Sequence, residues 1–402
     1  MDTLLSSPAH RAPCALQSSA RPCRPRSLRL SGDARSISDA RRRRSVHDAA
    51  RSGGERATLA TALRASSTDQ ASAIDVKMEE MAEFLRKDLV HLFDDVGIDR
   101  SMYSDKVEFR DPLTKYGSIS GYLANIKMLG VLFRPQFFLH DVRRTGEYEL
   151  TTRWTMSMKL WWSPLPFWRP SMEFTGESFM TVDPEEWKFN RHIDIWDSIQ
   201  QQEYLSKEAF QDLVAQLGTF FKVPDLETPQ YMLLRRAADY EVRRYEPYSV
   251  AEYAPATADR RGSFQSLARY IFGGNARGEK MAMTTPVFTE PAGRMQFVMG
   301  STYWGRSAEL PPPLDGAVAT RDVPGGVYAV RRFSGRSDPD LVRVQHGQLR
   351  AAIQRDGLKA EPATEGDPGF VLAQYNEPST PDWQRLNEVL VPLSEFDIWE
   401  GR

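Results

Sequence analysis

Cysteine is nearly absent: among 402 residues the only thiols are Cys14 and Cys23, both within the first 66. Beyond that stretch the chain can form no disulfide, offer no thiolate to a metal and use no thiol as a nucleophile. Histidine is almost as scarce, six in all, and nowhere has the spacing of a metal cluster. No glycine-rich phosphate loop and no serine elbow occurs, so nucleotide-dependent and zinc chemistry lack their usual residues. No window holds 18 uninterrupted apolar residues, so no segment reads as a membrane-spanning helix.

Lysine and acids are missing where the chain begins. The first 66 residues carry 13 Arg, 11 Ser, no Lys and five acids, with the block Arg41 to Arg44. Such a stretch cannot bury a core. Its Arg-rich, Ser-rich, acid-poor composition is that of an organelle transit peptide with cleavage expected near Leu63-Arg64-Ala65, although a nucleic-acid arm or a disordered tail would share it. The leader holds a charge of +8, so the remainder sits at −10 against −2 for the whole chain. An acidic body is a poor match for phosphate backbones, and no nucleic-acid partner is expected.

What is present reads as two folded parts. From about 75, Val76, Met81, Phe84, Leu85, Leu89, Leu92 and Phe93 mark one helix face, closed by Gly97. A short strand runs through Val107 into the turn Phe109-Arg110-Asp111-Pro112, and a second helix is expected around Ile119 to Leu132. Four strands follow, Gln136 to Arg143, Tyr148 to Trp162, Ser171 to Val182 and Trp187 to Trp196. Two helices and then a curved antiparallel sheet predict an α+β cone over 75–205. The candidate polar groups in its cavity are His140, Asp141, Asp111, His192 and Asp194. Alternation puts His192 and Asp194 on one strand face, where a carboxylate could orient an imidazole, or simply make a structural pair with it. Between the second and third strands, the aromatic run Trp161 to Trp168 suits a ligand lid, a membrane-touching tip, a partner surface, or aromatics folded over the cone's mouth.

A helical linker is expected over 206–227, with Phe210, Leu213, Leu217, Phe220 and Phe221 apolar, and Pro224 and Pro229 marking the boundary. The second part, 228–397, contains an echo: Tyr240-Glu-Val-Arg-Arg-Tyr245 recurs as Tyr328-Ala-Val-Arg-Arg-Phe333, each followed by a loop and a helix. The second helix should run from Pro339 to Arg355 with Leu341, Val344, Leu349 and Ile353 inward. In the first helix Phe264, Leu267, Ala268, Ile271 and Phe272 recur at helical spacing, Gly273-Gly274-Asn275 ends it, and alternation from Met281 predicts a strand. Two such halves predict a distorted antiparallel β-barrel flanked by two helices.

The aromatic-glycine-asparagine helix end followed by Lys280-Met281-Ala282-Met283-Thr284-Thr285-Pro286-Val287 resembles the signature of the SOUL heme-binding family. Tyr240 to Tyr245, Met295 to Met299 and Arg385 to Val389 agree in order and spacing. Two loop positions depart from the pattern, Gly300 after the Phe-Val-Met strand and Glu377 in the Tyr375-Asn376-Glu377-Pro378 turn. The first part, with its Phe-x-Asp-Pro turn and its strand ending Ile193-Asp194-Ile195-Trp196-Asp197, resembles the SnoaL-like, nuclear-transport-factor-like cones, in the branch that precedes a SOUL domain in plastid proteins. The joint resemblance implies chloroplast localisation.

It also implies a ligand. Porphyrin is a large apolar disc with two propionates, suited by an apolar face with cations at one edge. Carried onto this sequence, the resemblance places Arg261 and Arg269 at the propionates and Phe264, Leu267, Ala268 and Ile271 against the ring, unless that stripe packs on the barrel. Iron would need His, Cys, Met or Tyr, and the second part offers His346, Tyr270, Met281 and Met283. Weak or absent axial ligation and an exchangeable heme or related tetrapyrrole are therefore expected. The leading reading is a plastid carrier or buffer with no enzyme activity, in which the cone docks a plastid protein partner or a second ligand. The alternatives are a cone isomerase or dehydratase using His192 and Asp194, and a structural protein making peripheral contact with lipid bodies.

Overall fold

Alternating side chains build two separate sheets, and the polar backs of their strands hold them together. The computed structural model describes residues 72–160, 170–218, 224–254, 260–291, 293–363 and 369–400. The leader, and with it both cysteines, lies outside these residues, as does the run Trp161 to Trp168. All described residues fall within one compact unit, Ser66–Arg402.

The chain enters on helix α1 (72–88), which turns Met78, Met81, Ala82 and Leu85 inward. Val76, expected on that face, is 60% exposed, because the inward row runs through Ile74, Met78, Met81 and Leu85, and Val76 lies about 160° around the helix from Ile74 and Met78. The helix gives way to a 3-10 turn at Leu89–His91, and Gly97 takes φ +68° in the loop beyond it. Strands β1 (Tyr103–Arg110) and β2 (Lys115–Tyr116) precede helix α2 (Ile119–Leu132), whose first turn is capped by the Ser118 hydroxyl accepting from Gly121 N. Strands β3 (Phe133–Arg144), β4 (Glu149–Leu160), β5 (Ser171–Val182) and β6 (Phe189–Trp196) complete a sheet ordered β2-β1-β6-β5-β4-β3. Its pairings are antiparallel except β1 with β6. Pro135 lies inside β3 rather than before it, which the sheet tolerates because β3 is an edge strand. This is the expected cone.

Helix α3 (Lys207–Leu217) follows. It is part of the cone rather than a free linker: Ala209 is fully buried, and Gln216 Oε1 accepts from the backbone N of Glu173 on β5 at 2.8 Å. Phe210, expected to be apolar-facing, is 61% exposed.

The second sheet takes β7 (Tyr231–Arg236), β8 (Glu241–Tyr245), β9 (Tyr248–Tyr253), β10 (Val287–Thr289), β11 (Met295–Val298), β12 (Val318–Val323), β13 (Gly326–Phe333), β14 (Lys359–Ala360), β15 (Val371–Gln374) and β16 (Asn387–Glu395). Its path runs β12-β9-β11-β10-β15-β16-β13-β8-β7, with β14 paired to β16, and forms a distorted antiparallel half-barrel. The echoed segments become β8 and β13, which pair antiparallel with Tyr245 opposite Gly326. Helix α4 (Arg260–Ile271) packs on β9, β11 and β12, and α5 (Pro339–Arg355) on β13 and β16. In α5 Val342 is buried where Val344 was expected, and Val344 is 54% exposed. Where a strand was expected from Met281, the sheet holds only Val287–Thr289. The residues before it make single bridges, Phe272 with Lys280 and Thr284 with Glu227, while Met281 N donates to Ile271 O at the end of α4 and Thr285 N to Glu227 O.

Even-numbered side chains of β4, such as Leu150, Trp154 and Met158, fill the cone. The odd-numbered ones, Thr151, Arg153, Thr155 and Ser157, are polar and yet buried. They are buried because β7 lies over them. Thr155 Oγ1 donates to Leu233 O at 2.7 Å, and Arg236 N donates to Thr175 Oγ1 at 2.7 Å. Arg153, with no exposed surface, reaches both carboxylate oxygens of Asp197 and also Leu234 O. Arg236 makes a two-pronged pair with Asp212 of α3 at 2.9 Å. At the far end Trp399 Nε1 donates to Asp141 Oδ2 at 2.8 Å, with the Arg143 guanidinium 3.9 Å from the Trp399 ring centre.

Candidate functional site

Helix α4 divides its residues between two faces. Ser263, Leu267, Tyr270 and Ile271 are at most 2% exposed, and the last three pack with Met295, Phe297, Met299 and Leu310. Leu267 and Ile271 therefore belong to the core and are removed from the ligand set the sequence suggested: at 100° per residue they sit beside Tyr270, on the side turned to the sheet. Along the edge of that buried face stand Phe264, 44% exposed with its ring edge-to-face on Phe297, the partly buried Ala268, which packs on the same core, and, just past the helix end, Phe272, 57% exposed. Arg261 and Arg269 are exposed on this same side. The structure thus gathers Arg261, Phe264, Ala268 and Arg269, and adds Phe272, whose i, i+4, i+8 spacing from Phe264 was legible in the sequence.

The cone encloses a second site. His192 and Asp194 meet as expected, Nε2 to Oδ1 at 2.8 Å, and Ser178 donates to the same oxygen at 2.6 Å. Trp154 Nε1 in turn donates to Ser178 Oγ at 2.8 Å. The imidazole is held edge-on between Phe109 and Tyr122, with centroids at 5.0 and 5.4 Å, and its buried Nδ1 has no partner among the described residues. Asp111 lines the same cavity. Burial raises its carboxyl to about 6 against its hydrogen bonds from Thr114 and Leu113, and the charge of Asp194 adds to the rise. His140 and Asp141 are not there. A register shift in β3 between Leu139 and Asp141 accompanies their placement on the outer surface, where His140 Nε2 bonds Thr155 Oγ1 at 2.8 Å. Burial, reinforced by the Arg153 charge, lowers His140 to about 4. The cone cavity measures about 60 Å³, room for a few waters.

With these geometries in view, residues 226–392 match the family model described as SOUL heme-binding protein. The half-barrel is a SOUL domain. Residues 79–192 match a family of uncharacterized conserved proteins, DUF2358. Solved structures similar to the chain include an NTF2-like protein of unknown function from Exiguobacterium sp. 255-15, 16% identical, covering 25% of this chain and 80% of that one, TM-score 0.21. A putative SnoaL-like polyketide cyclase from Shewanella denitrificans OS-217 is 13% identical, covering 34% and 96%, TM-score 0.26. A hydrolase from Listeria innocua is 8% identical, covering 39% and 92%, TM-score 0.28. No curated protein matches the chain.

In this SOUL domain the signature run holds the open helix in place. Asn275, 3% exposed, donates to Tyr270 O at 3.0 Å and Glu279 O at 2.7 Å, and its Oδ1 accepts from Arg277 N and Glu279 N at 3.1 Å. One side chain thereby ties the end of α4 to the start of the methionine-rich segment. Gly273 takes φ +101°, and a Cβ on Gly274 would stand 2.7 Å from the Arg269 carbonyl oxygen, so the turn demands both glycines. Downstream, Thr284 donates to Val298 O at 2.6 Å and Thr285 to Tyr375 O at 3.2 Å. The threonines pin the segment to both neighbouring walls.

Proposed function

We propose that the protein binds heme or a related tetrapyrrole on the open face of α4, and that it carries or buffers this ligand in a plastid without strong axial ligation. The observation that carries the reading is the edge of α4, where the exposed rings of Phe264 and Phe272 flank the half-buried Ala268 beside Arg261 and Arg269, in a domain of the SOUL heme-binding family. Large apolar side chains left at a surface next to cations suit a flat apolar ligand with anionic edges. The residues fit the contact surface, with the rings taking the macrocycle and the guanidinium groups taking the carboxylates.

Donors for the iron are mostly engaged. Tyr270 donates its hydroxyl to Pro311 O at 2.8 Å, Met281 packs against the core, and His346 stacks on Phe370 at 4.2 Å with Nε2 buried. Met283 is 43% exposed, and a thioether is a heme ligand. Bound heme would supply a redox-active, ligand-accepting iron; the protein's own part is to bind and release it. The Arg-rich leader and the cone-plus-SOUL organisation support the plastid assignment.

The test is a heme titration of the full chain followed by visible absorption. A saturable one-to-one Soret shift is expected, weakened about tenfold by the Arg261→Ala, Arg269→Ala pair, as two exposed charge contacts of under 1 kcal/mol each would give. No saturable shift sinks the reading. A second reading, acid-base catalysis in the cone, is favoured by the raised Asp111 beside the His192–Asp194 pair. It ranks below the first because a cavity of about 60 Å³ holds water and no substrate of ordinary size.

A further inference from the structure

Between the two sheets lies a cleft of about 380 Å³, within the size range of small-molecule sites. Neither sheet makes it alone. Gln136, Phe138, Thr155, Ser157 and Glu173 come from the outer surface of the cone, while Tyr231, Met232, Glu241 and Arg332 come from the half-barrel. Its walls divide by chemistry.

Three apolar side chains stand part-open around it: Phe138 at 42%, Tyr231 at 40% and Met232 at 38%. Exposed rings and a thioether from two different sheets converge here, and scattered surface apolars would not. The floor is charged. On one side Arg332 is neutralised by Glu241 at 3.2 Å and Glu388 at 3.3 Å, and those acids are also held by the buried Arg243. On the other side stands Glu173, which has no ion pair among the described residues. Ser157 and Ser171 both donate to its Oε1, at 2.9 and 3.0 Å, and Oε2 has no partner among the described residues. Burial raises this carboxyl above its ordinary value despite the two serine bonds, with the charge of Glu241 adding to the rise and that of Arg332, which makes no ion pair with it, opposing it. An acid held this way is stabilised by any cation that reaches it, and the attraction is strengthened by the poor solvation around it.

We propose that this inter-sheet cleft is a binding site for a small amphipathic amine, its apolar body lying among Phe138, Tyr231 and Met232 and its ammonium on Oε2 of Glu173. The site does not depend on the heme reading, because it shares no residue with α4. It requires both parts of the chain, since the carboxylate comes from one sheet and two of the three apolar walls from the other.

The test compares tryptamine with tryptophol, its uncharged counterpart of nearly equal shape, by calorimetry on the full chain. Saturable binding of tryptamine at one site is expected, with tryptophol about tenfold weaker or worse. Glu173→Gln keeps an oxygen for both serines and should erase the difference between the probes. Met232→Trp, at the rim of the cleft, should weaken both probes in a protein whose melting temperature is unchanged, and so guards against misfolding of the first variant. Absence of saturable tryptamine binding, equal binding of the two probes, or indifference of tryptamine to both variants would each overturn the proposal.

Discussion

Replacing Asp197 with Asn tests a buried ion pair of the cone that sits at the seam between the two sheets. Arg153 has no exposed side-chain surface and Asp197 has 4%; the guanidinium meets both carboxylate oxygens and also touches Leu234 O of the half-barrel. Asn would keep the shape and leave the buried Arg153 with only the longer contact to Glu177 at 3.9 Å, a change that costs at most about 3–5 kcal/mol, the range for a buried charge that loses its partner. The temperature shift then depends on what unfolds together. At about 2.1 cal/mol/K per residue, a cooperative unit of about 340 residues has an unfolding entropy near 0.7 kcal/mol/K, so the melting temperature should fall by at most about 4–7 °C in a single transition. Were the cone of about 150 residues to melt by itself, the same loss would lower one of two transitions by at most about 10–16 °C. Scanning calorimetry of the full chain distinguishes these, and the single transition is expected because β7 buries the polar back of β4. Burial pushes the Asp197 carboxyl up, but the Arg153 charge and the hydrogen bonds from Arg153 and Thr175 outweigh it and hold it below the ordinary value. The contribution is thus complete above the unfolded value near pH 4 and is lost as pH falls through the lower folded value, so Asp197→Asn should flatten part of the acid limb. A shift under about 1 °C, or an Arg153→Met, Asp197→Leu double variant no more stable than either single change, would refute this account of the interface.

Two further outcomes follow from local geometry. Gly274→Ala should cost about 1–3 kcal/mol in a denaturant titration, since its Cβ would meet the Arg269 backbone oxygen at 2.7 Å, whereas Gly316→Ala, with nothing within 4 Å, should be neutral. Asp111, raised to about 6 by burial, binds its proton more tightly folded than unfolded, so its share of stability is present below pH 4 and lost as pH rises to 6. Asp111→Asn should remove that decline, and a stability–pH curve unchanged by the substitution would contradict the raised value.

The sequence by itself determined the elements and their order. Strand alternation from Ser171 to Val182 and the helix from Pro339 to Arg355 needed nothing from elsewhere, because each carries its own periodicity and punctuation. The pairing of His192 with Asp194 was equally legible, as two residues on one strand share a face. Tertiary structure decided the rest. Leu267 and Phe264 are both apolar residues of one helix, and only the position of the sheet made one core and the other surface. The Met281 segment alternates like a strand, yet Thr284 and Thr285 give their hydroxyl protons to Val298 O and Tyr375 O from loops and bridges, partners no local pattern names. Thr151, Arg153, Thr155 and Ser157 are polar at alternate positions of one strand, the pattern a solvated face would show. They are buried because residues some 80 positions later lie across them, and the cleft at that seam has no signature in either half.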